Sequence, residues 1–94
     1  MKHYIIGKFK PEVTDKAAQC ACIADLFSMA AQIPGIRGAE VRPNCIDRDN
    51  RFDVMIVLDM EKDALPAWDG SDLHHRWKDT FGALLEKKTI FDHE

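Results

Sequence analysis

The segment Phe52–Met60, FDVMIVLDM, decides the fold. Side chains of a strand alternate between its two faces, so Phe52, Val54, Ile56 and Leu58 share one face while Met55 and Val57 share the other. Both faces are apolar. A sheet covered by helices on one side and by water on the other should be polar on its wet side. The segment therefore predicts a sheet whose second face also needs a cover.

Upstream, the polar stretch Asn44–Arg51, NCIDRDNR, supplies turn chemistry, and Ile36–Arg42 reads as a short strand closed by Pro43-Asn44. In it, Ile36, Gly38 and Glu40 alternate with Arg37, Ala39 and Val41. Lys16–Ile33 has no Gly or Pro and repeats apolar residues at Ile23, Phe27, Ala30 and Ile33. That spacing predicts a long amphipathic helix, opened by Thr14 or Asp15 as cap and ended by Pro34-Gly35. Before it, His3–Lys10, HYIIGKFK, is a strand rich in β-branched and aromatic residues that stops at Pro11.

Downstream, Glu61–Trp68 reads as a short helical turn interrupted by Pro66, with a break at Asp69-Gly70. Ser71 or Asp72 then caps a second long helix running to about Leu85, with an apolar stripe of Leu73, Trp77, Phe81 and Leu84. Lys87–Asp92, KKTIFD, is a final short strand. The order β-α-β-β-α-β is the ferredoxin-like split unit, an α+β fold with a four-stranded antiparallel sheet and its helices on one face. The apolar back of such a sheet is covered most simply by a second copy about a two-fold axis, so a homodimer forming a shared α/β barrel is expected.

Ninety-four residues make one domain, because a chain of this length buries only about two thirds of its unfolded surface. Thirteen basic against sixteen acidic residues, a net charge of −3, leave no Lys/Arg run to neutralise a phosphate backbone, so nucleic acid is not an expected partner. The longest aliphatic run, Val54–Leu58, cannot span a bilayer, and MKHYIIGKF lacks the apolar length of a signal peptide. No membrane partner is expected. Cys20, Cys22 and Cys45 are an odd number at irregular spacing, which fits a reducing, cytoplasmic setting. Two positions apart on a helix, Cys20 and Cys22 point to opposite sides and read as apolar filler.

Chemistry rests on the histidines. His74 falls in the first turn of the second long helix, one turn before Trp77, at the edge of the buried stripe and directed toward the sheet. Neutral imidazole can accept a proton, which makes His74 the candidate general base. His75, rotated about 100° away, is solvated. His3 shares a strand face with Ile5, Gly7 and Phe9. If that face lies under the helices, His3 and His74 line one pocket. The alternative for each is a core-edge histidine satisfied by a backbone carbonyl.

No metal is expected, because the adjacent His74-His75 pair has the wrong spacing for one helical face and no carboxylate completes a set. The absence of GxGxxG, P-loop, GxSxG and CxxC leaves nucleotide and serine-hydrolase chemistry without a basis, so no cofactor is expected either. Asp47–Asp53, DRDNRFD, lacks the Gly and terminal Glu of a calcium loop and reads as a solvated turn.

The opening KHYIIGKFKPEVT, the helix end QIPGI and the closing ALLEKKTIFDHE resemble the stress-responsive dimeric α/β-barrel family, the Dabb domain. The resemblance covers essentially the whole chain and implies a single such domain over residues 1–94. Before its last helix that family carries the pattern Y-x-x-HP-x-H, and the matching stretch here is WDGSDLH, Trp68 to His74. In plant polyketide cyclases of the family the last histidine of the pattern is the general base of an aldol-type ring closure, assisted by the tyrosine. The resemblance thus implies His74 as base and His3 as the strand-one histidine, with Trp68 at the tyrosine position. An indole can donate a hydrogen bond but has no ionisable hydroxyl. The first histidine of the pattern is Ser71 here and its proline is Asp72.

Two functions compete. One is a homodimer with no chemistry of its own, whose space between helices and sheet either holds an apolar or aromatic small molecule, with Trp68, Trp77, Phe81 and Ile5 as its binding residues, or is simply filled. The other is a cofactor-independent lyase or cyclase in which His74 abstracts a proton next to a carbonyl and His3 or Trp68 orients the oxygen. A third, an oxygenase or haem-handling relative using Trp68 with His74, has only analogy behind it.

Overall fold

The computed structural model describes residues 1–94. Strand β1 (Lys2–Phe9) leads into helix α1 (Lys16–Phe27), then β2 (Ile36–Pro43), β3 (Val54–Met60), the one-turn helix α2 (Leu65–Asp69), α3 (Asp72–Phe81) and β4 (Leu85–His93). The strands form one sheet in the order β2-β3-β1-β4, with every neighbouring pair antiparallel. This is the ferredoxin-like arrangement that the order of elements implies. No helix is long and apolar enough to cross a membrane.

Period-two alternation sorts the sheet as expected. His3, Ile5 and Phe9 of β1 and Val54, Ile56, Leu58 and Met60 of β3 are buried beneath the helices. Against them pack Cys20, Ile23, Leu26 and Phe27 of α1 and Leu73, Trp77 and Phe81 of α3. Cys22 is exposed on the other side of α1. Trp68 and Trp77 are each 1% exposed, and a side chain of that size dominates the energy of the core it enters.

Several boundaries differ from the sequence reading. The first helix ends at Phe27, because the Ser28 hydroxyl donates to the Asp25 carbonyl and its N–H is shared between the Ala24 and Asp25 carbonyls, tightening the last turn. A separate 3₁₀ turn, Ala30–Gln32, carries the chain to Ile33, which is extended before Pro34. Asp15 occupies the cap position, yet its carboxylate accepts from the Gln19 side chain instead of a backbone N–H. Pro66 opens α2 and does not interrupt it, since a first-turn residue needs no N–H. The third strand begins at Val54, not Phe52. The last helix stops at Phe81, followed by a 3₁₀ turn over Gly82–Leu84.

The faces of β2 also differ. A register shift between Ile36 and Gly38 inserts an extra residue, so Ile36 shares the helix-side face with Ala39 and Val41, and Glu40 turns to the opposite face. Strict alternation predicted Ile36 with Glu40. The bulge lets β2 bury Ile36 without burying a carboxylate.

The far face of the sheet carries Tyr4, Ile6, Met55, Val57 and Phe91, with Val57 and Phe91 flanking Tyr4 and with Met55 beside Ile6. Phe91 is 61% exposed, a large apolar area left in water by the single chain. Tyr4 stacks on His93 and meets Phe91 edge-on there, and the Tyr4 hydroxyl lies 3.1 Å from His93 Nε2.

Candidate functional site

The floor of the site is three cross-strand pairs on the helix side of β1 and β4: His3 with Asp92, Ile5 with Ile90, and Gly7 with Lys88. Its roof is Leu65 and Trp68 from α2 and His74 and Trp77 from α3. Between them is a cavity of about 270 Å³ that also touches Asp69. Three things hold the roof in place. Pro66 starts α2, the Ser71 hydroxyl donates to the Trp68 carbonyl, and the same oxygen accepts the His74 N–H at 3.1 Å, capping α3.

His74 is half-buried and lines this cavity. Its Nδ1 stands 2.9 Å from the Asp69 carbonyl oxygen. A carbonyl can only accept, so in the neutral ring Nδ1 carries the hydrogen and Nε2 keeps the lone pair. Nε2 has no partner within the chain. The ring also lies 4.9 Å, centroid to centroid, from Trp68, whose own ring reaches His3 edge-on at 6.4 Å. Trp68 is therefore the wall that joins the two imidazoles.

His3 is 4% exposed and bonds through Nδ1 to the Asp92 carboxylate. That contact orients the ring and favours the tautomer with its lone pair on Nε2. The sequence reading did not single out Asp92. Its signal is the match in parity between the two chain ends, legible only once β1 and β4 are known to be antiparallel neighbours. Lys88 was missed for the same reason, whereas Leu65 and Asp69 belong to α2 and enter the site only because that helix packs over the sheet.

Of the other residues singled out, Ile5, Trp68 and Trp77 line the cavity with His3 and His74. Phe81 does not. One turn further along α3, it packs 5.7 Å from Trp77 and borders a separate cleft with Cys22, Leu26 and Met29. His75 is exposed and caps back to the Ser71 carbonyl through Nδ1 at 2.8 Å. No three His, Cys, Asp or Glu side chains converge as a metal-binding set. A further hollow of about 310 Å³ lies among Ile6, Cys45, Phe52 and Met55, toward the far face of the sheet and away from both imidazoles.

The family model of the stress responsive A/B barrel domain, Dabb, matches residues 1–94. The chain belongs to the Dabb family. No curated protein matches this Dabb chain in sequence. Among solved structures it is similar to a dimeric ferredoxin-like protein of unknown function from Bacteroides fragilis, with a TM-score of 0.82 at 18% identity, covering 99% of this chain and 93% of that one. A Dabb protein from Mesorhizobium loti aligns with a TM-score of 0.72 at 14% identity over 99% and 93% of the two chains. A hydroxynitrile lyase from Passiflora edulis also gives a TM-score of 0.72, at 11% identity over 98% and 89%. At these identities the likeness is one of fold.

Proposed function

We propose that this Dabb protein works as a homodimer joined through the far face of its sheet, each protomer binding an apolar or aromatic small molecule in its helix-side cavity. The carrying observation is the meeting of two buried or half-buried imidazoles, an indole wall and an apolar floor around about 270 Å³ of space. A pocket of this size accepts a small molecule, or the reactive end of a longer one. The dimeric state of the Bacteroides fragilis neighbour supports the first half of the reading, as does the exposed Phe91.

One observation favours chemistry at the same place. The Asp69 carbonyl leaves Nε2 of His74 free on a ring that lines the cavity, which suits a general base that removes a proton next to a carbonyl. His3, supported by Asp92, and the Trp68 indole N–H are the groups available to orient the carbonyl oxygen. No cofactor is needed for such a step. The test is turnover of a β-polyketo thioester by the native dimer and by His74→Ala. Loss of ring closure in a variant that remains a folded dimer supports the base. Equal turnover by both proteins removes it.

A further inference from the structure

The two ends of the cavity floor differ in charge. At one end the Asp92 carboxylate is bonded to His3, and the main-chain carbonyl of Asp69 meets His74. At the other is Lys88, four residues back along β4 on the same face. With a rise of about 3.3 Å per residue the two ends stand about 13 Å apart. Between them the floor is the apolar pair Ile5 and Ile90. Lys88 is the only Lys or Arg lining this cavity. No carboxylate of the chain lies within ion-pairing distance of its ammonium. Its strand neighbour Lys87 faces the other way, beside Lys8.

We infer that the ligand of this cavity is a small amphiphilic anion: a flat apolar body over Ile5 and Ile90, with an acidic group on Lys88 Nζ and its carbonyl end at His74. The inference rests on the cavity being a binding site and adds the class of molecule and its direction. An anion placed the other way round would meet the carboxylate of Asp92, which already serves His3, so the charges select one orientation. The ammonium has no competing partner in the chain, and a ligand that excludes water from it gains a charge-assisted hydrogen bond.

The chain has two tryptophans, Trp68 and Trp77, and both line this cavity, so intrinsic fluorescence reads its occupancy directly. The experiment titrates the native protein with 4-phenylbutyrate and with its neutral isostere 4-phenylbutyramide, at low and at high salt. The acid is expected to bind about tenfold more tightly than the amide, the equivalent of about 1.4 kcal/mol. Added salt should narrow that preference. Lys88→Met should abolish the preference for the acid over the amide, and Lys88→Arg should retain it. If the amide perturbs the tryptophans and the acid binds no better, the anion assignment is wrong and the cavity stands. If neither probe perturbs them, the cavity reading fails and the inference fails with it.

Discussion

His3 and Asp92 stand 89 residues apart in sequence and face one another across β1 and β4, the imidazole Nδ1 bonded to the carboxylate. The contact ties the two ends of the chain together inside the cavity wall. His3 is almost fully buried while Asp92 stays partly in water, so the pair keeps access to solvent on one side only.

Removing the acceptor from this pair leaves a buried N–H unsatisfied. Asp92→Ala should lower unfolding stability by about 1–3 kcal/mol, read from urea denaturation. In a double-mutant cycle with His3→Leu the two losses should not add, giving a coupling of at least about 0.5 kcal/mol. Additive losses would mean that the contact contributes nothing beyond packing.

Ser71 positions His74 through the cap of α3. Ser71→Ala should cost about 1 kcal/mol, and Ser71→Gly only a few tenths, because glycine leaves the free N–H groups open to water. If the cap also sets the catalytic geometry, Ser71→Ala reduces turnover by more than it reduces binding of 4-phenylbutyramide.

Phe91 is mostly exposed in the single chain, so Phe91→Asp should leave the protomer folded. It places a charge in the middle of the proposed dimer face, beside Tyr4. Sedimentation is expected to show a dimer for the native protein and a folded monomer for the variant. A native protein that sediments as a monomer at micromolar concentration removes the dimer.

On the same face, hydrogen bonding to Arg37 holds the Asp59 carboxyl below its ordinary value of 3.8. A carboxylate lowered in the folded state stabilises the fold above its unfolded value, and that contribution disappears as pH falls through the folded one. The denaturation midpoints of the native protein and Asp59→Asn should therefore differ by a constant amount near neutrality. The difference should close as the pH falls below 3.8.

Burial raises the Cys20 thiol, with the Asp53 charge adding to the effect. Iodoacetamide at pH 8 is therefore expected to modify exposed Cys22 promptly and Cys20 only as the protein unfolds, which peptide mapping resolves.

The amino-acid sequence by itself determined the local pattern of this protein. The alternation of Val54, Ile56 and Leu58 against Met55 and Val57 marks a strand greasy on both faces. Likewise the Leu73, Trp77 and Phe81 stripe marks a helix, and Ser71 its start. Each is a relation between residues a few positions apart, where backbone geometry alone sets the spacing. From the same pattern His74 could be put on an inward face and His3 on one strand face with Ile5, Gly7 and Phe9, but whether that face lies under the helices and shares a cavity with His74 depended on the arrangement of the strands.

Only the tertiary structure decided that β4 lies beside β1, bringing Asp92 to His3 and Lys88 to the far end of the same floor. It also turned Ile36 inward by a bulge, stopped α1 at Phe27 and left Phe81 outside the cavity. These depend on partners tens of residues away, and on a choice between burying an apolar side chain and keeping a regular ladder. Periodicity along the chain carries no record of either, because burial is settled by what packs across the sheet.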